Sequence, residues 1–147
     1  MPGKIRLRII TPARQLFDKD VDMVSFKSTE GEIGILPGHS PLTCVLSYSV
    51  MRIKEGSDTL YASVMSGFAE ITGETVTILS DAAEWPDEID IDRAQAAKER
   101  AARIIEKGDS IDVERAKLAL RRAAVRIEVS GYRSQAARTT SSTSSDS

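Results

Sequence analysis

The chain has 147 residues and a mass of 16.0 kDa, enough for one domain or for one small domain with an appendage. Its 20 Lys and Arg residues against 22 Asp and Glu residues leave a net charge of −2, so no global basic field exists to hold nucleic acid. A single cysteine, Cys44, and a single histidine, His39, exclude an intramolecular disulfide and a metal site built from several thiolates or imidazoles.

We expect neither a transmembrane helix nor export. The longest uncharged run, residues 33–51, is long enough to span a bilayer, but glycines, prolines and serines interrupt it. The first residues lack the apolar stretch of a signal peptide. Together with the single cysteine, these features favour a reducing compartment.

Residues 4–83 carry the pattern of short β-strands separated by frequent turn signals. Ile5, Leu7 and Ile9 alternate with charged residues, and a second alternation runs over residues 21–26. Further β-branched or aromatic runs lie at residues 50–53, 59–65, 67–71 and 75–79. The pattern predicts an all-antiparallel β-sandwich or flattened barrel.

The hydrophobic period changes from two to about 3.6 at Trp85, after which alanine, arginine, glutamate and lysine dominate. The sequence predicts one helix over residues 91–107, which Gly108 ends, and a second helix that Ser110 or Asp112 caps and that ends near Gly131. Because the connection is short, the two helices should form an antiparallel hairpin.

The predicted fold class is therefore α+β, with an antiparallel β-sandwich followed by a two-helix hairpin. We place the sandwich domain over residues 1–86 and the hairpin over residues 87–133. The last fourteen residues, 134–147, contain nine Ser or Thr and no large apolar side chain. They cannot offset the entropy lost on ordering, so we expect a disordered tail.

The two helices should meet along a stripe composed mainly of alanine. Its predicted members are Ala94, Ala97, Ala101 and Ile104 or Ile105 on the first helix, and Ala116, Leu120, Ala123 and Ile127 on the second. Burying a methyl group contributes about 0.8 kcal/mol, against about 1.5–3 kcal/mol for a Leu or Ile side chain. Such a weak seam suits a hairpin that separates from its packing partner while its helices stay folded. A hairpin that stays in place and covers one face of the sandwich fits the periodicity equally well.

The second helix is strongly cationic. From residue 115 onward it carries Arg115, Lys117, Arg121, Arg122, Arg126 and Arg133 against the single acidic residue Glu128. Arginine binds carboxylates and phosphates bidentately, so an acidic protein surface or a phosphate group would suit this face. An ordinary solvated helix face is the alternative interpretation.

Two motifs carry a resemblance to a known family. They are Glu30-Gly-Glu-Ile-Gly-Ile-Leu-Pro-Gly-His-Ser-Pro-Leu42 and Ser66-Gly-Phe-Ala-Glu-Ile71, placed on a predicted sandwich that precedes an alanine-rich hairpin. Over residues 3–133 the chain closely resembles the epsilon subunit of bacterial F-type ATP synthases. The resemblance implies a noncatalytic rotor subunit of a proton-translocating synthase, peripheral to the membrane at the cytoplasmic face of the bacterial plasma membrane.

The resemblance also implies partners for the sandwich. In this family the sandwich binds the gamma subunit and the c-ring, and the corresponding residues here are Gly31, Ile33, Leu36, His39 and Pro41. Pro37, Gly38 and Pro41 should fix a stiff irregular connection that presents an imidazole at low ordering cost. A structural histidine, satisfied within its own turn, is the alternative for His39.

A second implied role is inhibition of ATP hydrolysis by an extended hairpin. In the family the second helix then lies near acidic residues of the beta subunits, with alpha nearby, and the matching residues are Arg115, Arg121, Arg122 and Arg126. The weak seam and the cationic helix fit such a movement. The same arginines could instead bind a phosphate group.

In some family members one regulatory ATP holds the hairpin down. The segment Ile89-Asp-Ile-Asp-Arg-Ala94 matches the motif of those members in full. The residues implied in ATP binding are Glu84, Ile89, Asp90, Arg93, Ala94, Arg122 and Arg126. The alternative is that Asp90 is a simple helix N-cap and that the arginines serve beta-subunit binding alone. The bulky Trp85-Pro86 pair departs from the family pattern beside the adenine pocket. No cofactor is required and no metal is expected.

Two other classes of protein compete with this interpretation. An enzyme could use Ser40 beside His39, or Cys44, but side chains adjacent on an extended chain point apart and no phosphate-binding Gly-rich loop is present. A free-standing nucleotide sensor with the same two parts is the stronger alternative. It would bind ATP without binding a gamma subunit.

Overall fold

The computed structural model describes residues 3–108 and 110–132. Arg133 and the predicted tail over 134–147 lie outside these residues. The described residues form ten strands, a single 3₁₀ turn and two helices, which confirms the α+β prediction. The strands are β1 Ile5–Ile10, β2 Gln15–Val21, β3 Met23–Ser28, β4 Gly31–Ile35, β5 Leu42–Leu46, β6 Ser49–Glu55, β7 Asp58–Val64, β8 Gly67–Ile71, β9 Thr75–Ser80 and β10 Ala83–Glu84. The 3₁₀ turn covers Pro86–Glu88, and the helices are α1 Ile91–Lys107 and α2 Ser110–Ser130.

The strands pair in the order β10-β7-β6-β3-β5-β8-β9-β1-β2. Strand β4 lies outside this order and pairs with β3 alone. The sheet folds over on itself, because alternate side chains of nearly every strand are apolar and must leave water. Phe26, Leu7 and Ile78 are among the large side chains that become fully buried in this way. One apolar cluster therefore fills the sandwich.

One strand pair departs from the all-antiparallel prediction. β1 pairs with β2 antiparallel on one side and with β9 parallel on the other, with Leu7 opposite Val76. The reason is topological, since β1 lies between β2, which follows it directly in sequence, and β9, which lies more than sixty residues further along the chain. A pairing between strands so far apart in sequence leaves no local signal.

The alternation predicted over residues 21–26 is interrupted at Asp22, which separates β2 from β3. The Asp22 carboxylate accepts hydrogen bonds from Lys4 Nζ and from the Gly56 backbone N–H. This break shifts the phase by one residue, so that Val21, Val24 and Phe26 all face the core.

The two glycine-containing motifs have different roles in the sandwich. Residues 31–35 form the edge strand β4, so the predicted irregular connection is limited to residues 36–41. In the second motif Gly67 begins β8 with φ +150°, and a Cβ there would lie 1.9 Å from the Leu79 carbonyl oxygen. Only glycine fits at that position.

Local signals set the ends of α1. Asp90 caps its start, because the Asp90 carboxylate accepts a hydrogen bond from the Arg93 backbone N–H at 3.0 Å. Gly108 ends it in the left-handed conformation, with φ 72°. The predicted bounds of this helix are thereby confirmed.

The seam of the hairpin is the alanine stripe expected from the sequence. Ala94, Ala101, Ala116 and Ala123 are all less than 5% exposed, whereas the predicted larger members are only half-buried. The hairpin contacts the sandwich elsewhere, through a small cluster that includes Val50, Ile89 and Val129. Beside it the rings of Tyr61 and Tyr132 stack, with centroids 3.6 Å apart.

Candidate functional site

A cleft of about 630 Å³ lies where the two helices meet the linker from the sandwich. We call it the arginine cleft. Its lining residues are Glu84, Glu88, Asp90, Arg93, Ala94, Ala97, Arg100, Ala119, Arg122, Ala123 and Arg126. Each helix contributes two arginines and two alanines, β10 contributes Glu84, and the linker to α1 contributes Glu88 and Asp90.

The sequence spacing explains why four arginines converge. Arg93 and Arg100 are seven residues apart, which places both on one face of α1. Arg122 and Arg126 are one turn apart on α2 and share a face in the same way. Alanine side chains are too short to fill the space between these helix faces, so the composition that weakens the seam also leaves room for a ligand.

The cleft holds its charges unequally. Arg126 Nε donates to Glu84 Oε1 at 2.7 Å, which pairs one arginine with a carboxylate of β10. Among the residues that the structure describes, no carboxylate lies within salt-bridge distance of Arg93, Arg100 or Arg122. Within the described residues, three cations therefore share a concave site without forming an ion pair, which favours an anion.

Glu88 lines the cleft, but its Oε1 atom is hydrogen-bonded to Arg14 and Trp85, which lie outside the lining. Arg14 Nη2 donates to Glu88 Oε1 at 2.6 Å, and the same oxygen accepts a hydrogen bond from the Trp85 backbone N–H at 2.9 Å. The hydrogen bond from Arg14 lowers the pKa of Glu88, and the bond from Trp85 adds to this effect against partial burial. Glu88 thus fixes the linker to the β1–β2 connection.

The structure brings together six of the seven residues implied in ATP binding, all of which line the arginine cleft: Glu84, Asp90, Arg93, Ala94, Arg122 and Arg126. Ile89 is 3% exposed and packs in the cluster with Val50 and Val129, so its role is to dock the linker. Asp90 is an N-cap, and one of its carboxylate oxygens makes that bond while the residue also lines the cleft.

Trp85 does not intrude on the cleft. Its ring packs edge-on against Phe17 at the core, with the ring centroids 5.9 Å apart. The departure of Trp85-Pro86 from the family pattern is therefore accommodated on the sandwich side of the linker, where Pro86 is buried.

The arginines implied in beta-subunit contact lie in different surroundings. Arg115 is exposed, and Arg126 holds Glu84. Arg121 and Arg122 both lie against the ring of Tyr48, with each Cζ atom 5.3 Å from the ring centroid. Three of the four, Arg121, Arg122 and Arg126, thus contact the sandwich when the hairpin is docked.

The residues implied in gamma and c-ring contact follow the edge of the sandwich. Gly31 and Ile33 lie on β4 and line a groove of about 400 Å³, whereas Leu36, His39 and Pro41 lie on the connection to β5. Leu36 is 57% exposed. His39 Nδ1–H donates to the Ser40 carbonyl oxygen at 2.6 Å, so this imidazole is satisfied within its own turn.

An apolar row crosses the outer face of the sandwich and was not predicted from the sequence. Val45, Phe68 and Leu79 stand opposite one another on β5, β8 and β9, and each is 45–57% exposed. Ile10 continues the row on β1. Side chains of this size normally find a partner when they are contiguous.

Among the groups considered for catalysis, the His39 imidazole makes its hydrogen bond with the Ser40 carbonyl oxygen. Burial, with a smaller effect of the Glu30 charge, raises the pKa of the Cys44 thiol.

Within residues 3–108 and 110–132, no helix is long and apolar enough to cross a membrane. The same residues contain no group of three or more His, Cys, Asp or Glu side chains placed to hold a metal.

Comparison with protein families decides the affiliation. Residues 4–86 match the model described as ATP synthase, Delta/Epsilon chain, beta-sandwich domain, and residues 87–131 match that of the long alpha-helix domain. This chain belongs to the ATP synthase delta/epsilon chain family. The resemblance drawn from the two sequence motifs is confirmed.

Relatives of the delta/epsilon family extend this result. The ATP synthase epsilon chain of Alkalihalophilus pseudofirmus is 48% identical over 97 residues, which cover 66% of this chain and 73% of the relative. That of Halalkalibacterium halodurans is 45% identical over 103 residues, which cover 70% and 77%. A chain of the Euglena gracilis mitochondrial ATP synthase, solved with OSCP, F1 and c-ring, has the same fold, with a TM-score of 0.77 at 22% identity over 87% of this chain and 81% of that one.

Sequence reasoning missed several residues that the delta/epsilon fold brings to the cleft. Arg100 could have been found, because it lies two turns after Arg93 on the same helix face. Glu88 was overlooked although Pro86 and the hydrogen bond from the Trp85 N–H mark a local turn, and only its pairing with Arg14, 74 residues away, leaves no local signal.

Proposed function

We propose that this chain is a noncatalytic, ATP-sensing regulatory subunit of the ATP synthase rotor, in which a bound ATP holds the helical hairpin against the sandwich. The observation that carries the proposal is the arginine cleft between the two helices. It places three cations without carboxylate partners at a junction that exists only while the hairpin is closed and docked.

The size and charge of the cleft suit a nucleoside triphosphate. About 300–1,000 Å³ is usual for small-molecule sites, and the cleft has about 630 Å³. Arg93, Arg100 and Arg122 can each bind phosphate oxygens bidentately, from both helices at once. A triphosphate between them would bridge α1 and α2 and replace mutual repulsion by attraction.

The carboxylates of the cleft suit the nucleoside end. Asp90 has one carboxylate oxygen engaged with the Arg93 backbone, and its second oxygen can accept from a ribose hydroxyl or an amino group. Glu84 is held by Arg126, which fixes its orientation toward the same space. An ATP bound with its phosphates toward the arginines would therefore find acceptors at its other end.

Calorimetric titration of the full chain with ATP, with and without magnesium, tests this site. We expect saturable binding that Arg93→Ala and Arg122→Ala each weaken strongly. Arg103→Ala is the matched control, because Arg103 is an exposed arginine of α1 outside the cleft. Absence of binding up to millimolar ATP, or equal losses in all three variants, would overturn the proposal.

The rotor role rests on the family affiliation and on the outer face of the sandwich. We assign the apolar row of Val45, Phe68 and Leu79 to the gamma subunit, together with the edge formed by Gly31, Ile33, Leu36, His39 and Pro41 toward gamma and the c-ring. Through these partners the subunit would be peripheral to the membrane, at the cytoplasmic face of a bacterial plasma membrane, and would couple proton-driven rotation to ATP synthesis.

Binding to purified gamma subunit separates this role from a free-standing nucleotide sensor. Phe68→Glu should abolish a stable complex on size-exclusion chromatography. Leu118→Glu is the control, since Leu118 is a similarly exposed apolar residue on α2. A wild-type chain that binds ATP and fails to bind gamma would favour the free-standing sensor.

When the hairpin opens, its arginines would become available to the beta subunits. Arg121, Arg122 and Arg126 are engaged with Tyr48 and Glu84 in the docked state, whereas Arg115 is exposed in either state. Removing the hairpin by truncation after Pro86 should raise ATP hydrolysis by the assembled synthase. Unchanged hydrolysis would contradict the inhibitory role and would leave ATP binding as a separate result.

A further inference from the structure

The connection between β5 and β6 lies against the cationic face of α2. Arg122 Nη2 donates to Tyr48 Oη at 3.3 Å, and the Arg122 guanidinium lies 5.3 Å from the centroid of the same ring. Arg121 has its guanidinium at the same distance from the ring and donates from Nη2 to Ser47 Oγ at 3.1 Å. One half-buried tyrosine thus contacts two consecutive arginines.

We propose that Tyr48 is a positioning residue of the arginine cleft, which holds Arg122 in the orientation that binds the phosphates of ATP. This inference rests on the proposed function of the cleft. It also assigns a role in nucleotide binding to the sandwich, through a residue that lies outside the cleft lining.

The chemistry of the contact explains how the ring orients Arg122 without consuming its binding capacity. A guanidinium that lies against an aromatic ring is attracted by the π-electrons and keeps its N–H donors in its own plane. Of the five N–H donors of Arg122, the hydroxyl of Tyr48 takes one. The remaining donors are available to phosphate oxygens, at a smaller entropic cost than for a freely rotating side chain.

The same geometry links nucleotide binding to docking of the hairpin. Both cleft arginines of α2 are held by sandwich residues, Arg122 by Tyr48 and Arg126 by Glu84. Undocking would release both, so the undocked hairpin should bind phosphate more weakly. By linkage, a ligand that binds the docked form better shifts the population toward it.

Titration with ATP of a double-mutant cycle tests the assignment. Tyr48→Ala should raise the dissociation constant for ATP about two- to five-fold, the range of an exposed cation–π contact. Tyr48→Phe keeps the ring and should restore most of the affinity. In an Arg122→Ala background, titrated at ATP concentrations high enough to reach its weakened site, Tyr48→Ala should have no further effect on the dissociation constant.

Tyr61→Ala is the matched control. Tyr61 is also a sandwich tyrosine that contacts the C-terminal end of the hairpin, but it stacks on Tyr132 and touches no cleft arginine. Its effect on ATP affinity should persist in the Arg122 variant background, because it acts through docking alone. If Tyr48→Ala behaves in the same way as Tyr61→Ala, Tyr48 is a docking residue and the proposal is overturned.

A second readout keeps the test independent of the proposed function. If wild-type protein fails to bind ATP, the ATP site itself is refuted. The Tyr48 and Arg122 variants are then compared by hydrogen exchange of the α2 amides without nucleotide. Exchange rates that rise about two- to five-fold in each single variant, and no further in the double variant, would still show that Tyr48 holds Arg122. Additive increases would show that it does not.

Discussion

The sandwich and the hairpin are stabilised by different kinds of contact. The sandwich buries large apolar side chains such as Phe26, Leu7 and Ile78 in one continuous cluster. The hairpin buries mainly alanine between its helices and reaches the sandwich through Val129, two tyrosine contacts and an ion pair. Loss of the second set would leave the first intact.

Under the proposed function, this difference would let one small chain combine a permanent partner with a movable regulatory element. A rigid sandwich can remain attached to a rotor while its helices retain their own propensity and change position. The polar contacts that dock the hairpin are also the contacts that shape the arginine cleft. A ligand in the cleft would therefore act on the junction between the hairpin and the sandwich.

The largest expected effect comes from a cavity in the sandwich core. Leu7 is fully buried, so Leu7→Ala should lower the free energy of unfolding by about 2–5 kcal/mol in urea titrations. Leu118→Ala is the control with the same chemistry on an exposed position of α2, where less than about 0.5 kcal/mol is expected. Similar costs for the two variants would contradict the contrast between the regions.

A smaller and local effect is expected at the docking cluster. Val129 lies near the C-terminal end of α2 and is fully buried. Val129→Ala should weaken docking of the hairpin on the sandwich by about 1.5–2 kcal/mol. Hydrogen exchange should become faster in α2 and stay unchanged in β1 and β9. Equal acceleration in both regions would mean that the hairpin and the sandwich unfold together.

The alanine seam can be measured with a matched pair on α1. Ala101 is 3% exposed and Ala102 faces solvent, so both Gly substitutions lose about 1 kcal/mol of helix propensity while only Ala101→Gly also loses a buried methyl. The difference in local stability between the two variants should be about 0.8 kcal/mol by hydrogen exchange. A difference of several kcal/mol would show that the seam is tight.

The smallest expected effect concerns pH and the linker. The pKa of Glu88 is lowered by Arg14, so its contribution to stability is present above its ordinary value of about 4.3 and is lost as the pH falls through the lowered value. Wild-type protein should exceed Glu88→Gln in thermal midpoint at neutral pH, and this excess should vanish in acid. A constant excess at every pH would refute the assignment.

The features of the fold that depend on residues close together in sequence, such as the ends of helices, are mostly predicted correctly from the sequence. Asp90 and Gly108 marked the ends of α1 because a cap and a left-handed glycine act within a few residues. The edge strand β4 was missed because Gly31 and Gly34 obscure its alternation. The parallel pairing of β1 with β9 depends on closure of the whole sheet and leaves no local trace.

The candidate site divides in the same way. Arg93, Arg122 and Arg126 were identified through the family resemblance, and the structure places all three at one cleft. Tyr48 could not be recognised, because 74 residues separate it from Arg122 and only docking of the hairpin brings them together. Contacts between the two regions are therefore the part of the site that sequence reasoning does not reach.

The most direct test of the account is native-state hydrogen exchange of the full chain with and without ATP. We predict that amides of α1 and α2 exchange through a local opening that leaves the sandwich protected, and that ATP slows exchange in the hairpin alone. A single common opening free energy for both regions, unchanged by ATP, would contradict the central claim that the hairpin is a detachable element held by its ligand.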